Sequence, residues 1–430
     1  MDLIIEGKAY INGIFETCCI GVNQGKICAI KKILKGDTHL KFNRKLILPA
    51  GIDMHVHFRD PGFTHKEDFS TGSKAAAFGG ITCVFDMPNT KPQTTSVRTI
   101  LEKINVAKTK SFVDFGVYAA ITNITIRNIT EMSKHCSGFK IFLGETTNSL
   151  QLSEQKLKEA ISAASQTNKI TLVHAENEQC LKKYKKTEQN LKDHILCRPS
   201  ECEEHAITGV LDTSKDISSR VHVCHLSSCE GFELLRKKPK NVSVGVTSHH
   251  LLFDISSIKF EQSLYKVNPP IRSHFDRETL WYGVKNGVID VLESDHAPHT
   301  LDEKKTDFNA VPSGVPGVET MYPLFLAEVK KERLSFAQLI SLLCERPAEL
   351  MNIPKGKIEV GRDADFIVID YKETTTVKSE NLHSKCGWTP FEGMSTIFPS
   401  DVFLRGERII EEHQLTSNSG FGNNVVSNVQ

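Results

Sequence analysis

The chain has 430 residues, enough to bury one large domain and a smaller one. Its 53 Lys and Arg balance 52 Asp and Glu to a formal net charge of +1, which excludes the basic field of a general nucleic-acid binder and a polybasic membrane surface. No apolar run approaches the ~20 residues of a membrane span, and the opening MDLIIEGKAY carries Asp2 and Glu6 where a signal peptide would be apolar, so a soluble cytoplasmic protein is expected.

Residues 1 to 50 read as short β segments separated by turns: LIIEG, AYING, CIGVNQG and KICAIKK. Eight strand-like runs follow: LPAGIDMHVH, GITCVFDMP, DFGVYAAIT, GFKIFLG, KITLVHAEN, RVHVCHLSS, NVSVGVTS and VIDVLESDH. Polar helical stretches such as SEQKLKEAISAASQ and RETLWYGVKNG lie between them. Repeated β-then-α units argue for a parallel sheet, and eight of them fit an α/β fold of the (β/α)8 TIM-like barrel type. The competing open doubly wound sheet would carry a Gly-rich dinucleotide turn; GFGNN has no strand before it and no helix after it. Two further β-like segments, GKIEVGRDADFIVID and DVFLRGERIIEE, lie near the other end. The expected organisation is therefore a small β-sandwich domain built from both termini (1–50 with 351–414), a barrel over 51–350, and a loose Ser/Asn/Gly-rich tail over 415–430. The 12 cysteines are irregularly spaced and form no CxxC pairs, so buried reduced thiols are expected rather than a disulfide framework or a structural zinc site.

The chemically capable residues fall at one end of these strands. His55 and His57 close the first, and a spacing of two puts both imidazoles on one face, as a metal requires. Arg59 continues that face and could receive an anion. Lys140 lies in the fourth strand among Phe139, Ile141, Phe142 and Leu143; His174 closes the fifth, His225 the sixth and Asp295 the eighth. Barrel active sites collect at the carboxyl ends of strands, and this set is rich in metal-ligand types.

These residues carry a resemblance. The motifs HVHFRDPGFTHKEDF, FDMPNT, VNPPIR, SDHAPHT and VPSGVPGVET resemble the class I dihydroorotases of the amidohydrolase superfamily (metallo-dependent hydrolases), over nearly the whole chain. The resemblance implies two Zn2+ per chain, one on His55, His57 and Asp295 and the other on His174 and His225, with Lys140 bridging them as an N6-carboxylysine. An ammonium cannot ligate zinc, whereas a carbamate offers two oxygens. The implied reaction is the reversible cyclisation of N-carbamoyl-L-aspartate to dihydroorotate plus water, third step of de novo pyrimidine biosynthesis, with hydroxide attacking the ring carbonyl in the opening direction and Asp295 moving the proton. Arg59, Asn89 and His299 would hold the substrate carboxylate, Asn268 the ring, and backbone near Ser313 and Gly314 its amide edge. That last loop departs from the commoner APFG form at Val311 and Ser313. An allantoinase or dihydropyrimidinase-like amidase is the alternative enzyme, but allantoinases usually carry Asn at the Arg59 position and lack Asn at position 268, and hydantoinases lack the arginine, so Arg59 and Asn268 argue against it. A non-catalytic scaffold relative is the other alternative. The resemblance leaves a homodimer, and association with aspartate carbamoyltransferase, open.

Other polar residues take a structural reading. His249 and His250, placed on the seventh strand, would face opposite ways; Cys224 would point away from His225; His65 would be loop surface; His296 would orient its strand. Asp86 and Glu293 would support by hydrogen bonding, and Glu176 is left unassigned.

Overall fold

The computed structural model describes residues 1–144 and 150–426. Four strands open the chain: β1 (Leu3–Ile11), β2 (Ile14–Asn23), β3 (Lys26–Lys31) and β4 (Thr38–Pro49). Eight parallel strands follow: β5 (Gly51–Val56), β6 (Ile81–Asp86), β7 (Asp114–Ala120), β8 (Gly138–Phe142), β9 (Ile170–His174), β10 (Val221–Val223), β11 (Val242–Thr247) and β12 (Val291–Glu293). They pair in chain order and correspond one for one to the eight runs read from the sequence. The ring closes where His57 N donates to His296 O at 2.7 Å beside a parallel Val56–His296 bridge.

The apolar runs have a simple cause. Every residue of these eight strands is buried, because helices cover the outside and side chains fill the inside. Met54, Phe85, Tyr118, Leu172 and Val291 share one interior cluster, each such side chain contributing about 1.5–3 kcal/mol by burial. The covering helices begin where the sequence supplies caps: Asp68 for Phe69–Phe78 and Ser96 for Val97–Lys110, both as capping boxes.

Towards the C-terminus lie β13 (Phe366–Ile369), the two-residue pair β14 (Thr375–Thr376) and β15 (Ser395–Thr396), then β16 (Asp401–Leu404), β17 (Glu407–Glu411) and β18 (Gln414–Leu415). β13 and β16–β18 join β1–β4 in one mixed eight-stranded sheet, ordered β18-β17-β16-β13-β4-β1-β2-β3. Ile5, Ile20, Phe42, Phe366 and Phe403 form its own buried core, apart from the barrel's. The sheet is tied to the barrel by Lys355, whose buried Nζ lies 2.7 Å from Asp114, 3.0 Å from Asp363 and 2.8 Å from Asp365.

Two expectations are corrected. Residues 415–426 are not loose: Leu415 ends β18, and beyond it Phe115 N donates to Asn423 O, Val425 N to Phe115 O, and Arg405 packs on Phe421. The Ser/Asn/Gly composition suits a segment that bonds through its main chain. The end of that tail, 427–430, lies outside the described residues. The cysteines are not all reduced: Cys180 and Cys202 form a disulfide, and ten others are free. Their separation of 22 residues hides the pairing from a search for short spacings. Among the described residues, no helix is long and apolar enough to cross a membrane.

Candidate active site at the carboxyl ends of the strands

A cavity of about 590 Å³ opens at the carboxyl ends of β5–β12. Eleven of the twelve residues singled out in the sequence line it; His299 stands behind Arg59 and Ser313. Three of them are non-glycine residues with left-handed backbone: Arg59 (φ 61°), His225 (φ 38°) and Asp295 (φ 46°). Each costs about 1–2 kcal/mol. Each lies just past a strand, so the left-handed step turns the chain as it leaves the sheet; such strain concentrates at functional sites.

His55 and His57 converge as their spacing requires. Their Nε2 atoms lie 3.3 Å and 3.1 Å from the same oxygen, Asp295 Oδ1. His57 Nδ1 is 2.7 Å from Asn89 Oδ1 and His55 Nδ1 is 3.3 Å from Glu293 Oε2. Both outer nitrogens thus face acceptors and carry the protons, which turns both Nε2 lone pairs towards the carboxylate. Three electron-rich atoms meeting in a buried place call for a cation. The protein field says the same: burial and Lys140 depress His55, but Asp295, Cys224 and Glu293 outweigh them and raise it to about 10. Burial alone would raise Asp295; His55 and His57 hold it well below the usual carboxylate range. Burial lowers His57 to about 4.

The second group lies across the cavity floor. His174 Nε2 is 2.9 Å from Glu176 Oε2, and its Nδ1 is 3.1 Å from His225 Nε2. Glu176 is a carboxylate gripped by Arg198 Nη2 at 2.6 Å, so it accepts from Nε2 and leaves Nδ1 as the lone-pair atom. His225 then donates through Nε2, and its Nδ1 is buried with no partner. Lys140 is fully buried; its Nζ is 3.1 Å from Cys224 Sγ, and among the described residues no carboxylate lies within ion-pair distance of it. The donor atoms of His55, His57 and Asp295 fall within 4.8 Å of one another, as do those of His55, Cys224 and His225. Imidazole, carboxylate and an orphaned imidazole nitrogen are a donor set that fits a transition-metal cation.

Beside this floor, Arg59 is buried, with Nε donating to Pro298 O at 3.2 Å. Its Nη2 is 3.2 Å from His299 Nε2. His299 Nδ1 faces Lys66 Nζ at 3.0 Å and must accept, since an ammonium only donates. The proton is therefore on Nε2, which donates to Ser313 O at 3.1 Å and cannot accept from Arg59. The Nη2 donors are left for an anion. Burial lowers Arg59 only to about 10, so it stays charged at neutral pH. Asn268 Oδ1 is buried without a partner. Gly314 (φ +141°) closes the wall where a Cβ would lie 2.4 Å from Ala297 O, so only glycine fits.

Two structural readings from the sequence are corrected. Cys224 does not point away: β10 ends at Val223, the alternation stops there, and Sγ faces Lys140. His249 and His250 are not on a strand. Thr247 caps a short helix, Ser248–Leu252, with the two rings 4.5 Å apart. His250 Nε2 donates to Pro269 O at 3.0 Å, next to Asn268. Asp86 accepts from Phe58 N at 2.6 Å and Glu293 from His225 N, both supporting roles; His65 is exposed; His296 Nδ1 accepts from Gly317 N at 3.1 Å. Glu176, left unassigned by the sequence, orients His174, and Arg198, which the sequence did not single out, holds Glu176 in place.

Comparison with known proteins places this geometry. The model of the amidohydrolase family matches residues 46–408. The chain belongs to the amidohydrolase family. Amidohydrolases are metal-dependent hydrolases, which accords with the donor set above. A dihydroorotase of Methanosarcina acetivorans is 38% identical over 435 residues, 96% of this chain and 93% of the relative. A dihydroorotase of Thermoplasma acidophilum is 38% identical over 415 residues, 96% of each. Among solved structures, the L-hydantoinase (dihydropyrimidinase) of Arthrobacter aurescens superposes with a TM-score of 0.94 at 28% identity, covering 99% of both chains. The dihydropyrimidinase of Brevibacillus agri gives 0.91 at 26%, covering 99% of this chain and 98% of that one.

Proposed function

We propose that this amidohydrolase is a dihydroorotase, interconverting N-carbamoyl-L-aspartate and dihydroorotate as the third step of pyrimidine synthesis in the cytoplasm. The observation that carries the reading is a buried guanidinium with unengaged Nη2 donors beside the His55–His57–Asp295 cluster. A cyclic amide bearing a carboxylate matches it bidentately, whereas hydantoin, allantoin and dihydrouracil offer no carboxylate. The dihydroorotase relatives, at 38% identity, support this choice; the hydantoinase likeness, at 26–28%, reports a shared backbone.

The residues fit two zinc ions: His55, His57 and Asp295 would hold one, His174 and His225 the other, and Lys140, carboxylated, would bridge them. When bound, the metals supply Lewis acidity and hydroxide at neutral pH. The chain's own residues do the rest. Arg59 and Asn89 hold the carboxylate and so fix which ring carbonyl faces the floor, while His299, engaged by Lys66 and Ser313 O, sets the wall behind Arg59. Asn268, Ser313 and Gly314 orient the amide edge. Asp295, kept ionised by His55 and His57, takes the proton on the carboxylate oxygen not shared with the two imidazoles and returns it to the departing amide nitrogen. Glu293 and Asn89 lock the imidazole tautomers, and Glu176 with Arg198 does so for His174.

The test is a panel of dihydroorotate, allantoin, hydantoin and dihydrouracil on purified zinc-loaded protein. Dihydroorotate should be turned over at least about 100-fold faster than the rest, as a buried hydrogen-bonding site rejects analogues lacking its partner by up to about 10⁴–10⁵. Turnover of allantoin or dihydrouracil with none of dihydroorotate would sink the reading.

A further inference from the structure

Lys304 has no part in the chemistry above, yet it is fully buried at the back of the cavity wall. Its Nζ donates to three main-chain carbonyls: Pro312 O at 3.1 Å, Gly314 O at 3.1 Å and Lys266 O at 3.3 Å. An ammonium has three N–H donors and no acceptor, and here each donor meets its own carbonyl. The two segments it joins, 312–314 and 266–268, carry the groups assigned to the ring, and they also touch directly through Gly314 N to Lys266 O at 2.9 Å. The Trp388 ring centre lies 5.7 Å from Nζ, and Trp388 Nε1 donates to His299 O at 2.8 Å, so the same cover closes the carboxylate corner. A compact ammonium fits this three-carbonyl nest where a planar guanidinium would not.

We infer that Lys304 is a positioning residue for substrate recognition: it clasps the 312–314 loop to the 266–268 segment and so sets the polar edge that reads the ring amide. This rests on the dihydroorotase reading. It acts through Asn268, Ser313 and Gly314 and touches no reacting atom. An edge that binds ground state and transition state alike changes KM rather than kcat.

The experiment uses the zinc-loaded full chain carrying Lys304→Met, with Lys304→Gln as the milder variant should the first give little folded protein. KM for dihydroorotate should rise about tenfold, with kcat within about threefold and metal content unchanged, as expected for uniform binding lost. Hydrogen exchange should accelerate at residues 310–315 and 266–268 while the barrel strands keep their protection. A KM within about twofold of the parent together with unchanged exchange in both segments overturns the clasp, and so does a fall in kcat at constant KM. If the parent protein fails to open dihydroorotate, the functional reading falls by itself, and the exchange measurement still decides whether Lys304 holds the two segments.

Discussion

Replacing Arg59 with Met keeps most of the side chain's bulk and removes its charge. Arg59 is 6% exposed, so whatever it binds is shielded from water. Nε is engaged with Pro298 O, and Nη2 faces a nitrogen that cannot accept, which leaves the outer edge of the guanidinium for the substrate carboxylate. Two charge-assisted hydrogen bonds at about 1.5–3 kcal/mol each give about 3–6 kcal/mol. At about 1.4 kcal/mol per tenfold, kcat/KM for dihydroorotate should fall about 100- to 10,000-fold, mostly through KM. The assay is steady-state ring opening, with zinc content and thermal unfolding measured on the same preparation. Slow turnover of dihydrouracil, which has no carboxylate, should change by less than about threefold. A loss below about fivefold on dihydroorotate, or an equal loss on both substrates, would remove Arg59 from carboxylate recognition.

Three further outcomes are expected. Lys140→Ala should lose most bound zinc and activity, and added short carboxylic acids should restore part of both; full activity without supplement refutes the bridging role. Asp295→Ala should reduce kcat by at least about 10³ while circular dichroism stays unchanged; retained turnover would move proton transfer elsewhere. Lys355→Met should destabilise the chain by about 3–5 kcal/mol, because buried Asp365 would lose its cation while Asp114 and Asp363 would keep only Arg405 and Lys26; denaturant unfolding measures it, and a change under about 1 kcal/mol would show that the barrel and terminal sheet do not depend on that tie.

The barrel was legible because its physics is repetitive. Strands covered on both faces read as continuous apolar runs, and the polar residue that ends each run marks the open end. His55 and His57 needed only the two-residue period to be placed together. What escaped the sequence depends on where a strand stops. Cys224 was misread because β10 is three residues long and the chain turns at His225; a residue-by-residue alternation cannot foresee a left-handed step. His249 and His250 were misread because the Thr247 side chain starts a helical turn directly from β11. Glu176 lies only two residues from His174, but its hold there depends on Arg198, 22 residues on, and Lys304 acts through carbonyls, which carry no side-chain signature. The docked segment after Leu415 and the Cys180–Cys202 pair escaped for the same reason: both rest on long-range contacts that composition does not encode.

The central claim is that five strand ends build a two-zinc site bridged by carboxylated Lys140. Anomalous diffraction at the zinc absorption edge, read with the density at Lys140, tests it most directly. Two peaks are expected, one against His55, His57 and Asp295 and one against His174 and His225, with carboxylate density continuous from Lys140 Nζ between them. A single peak, no peak, or a bare lysine amine with both histidine groups unliganded would contradict it.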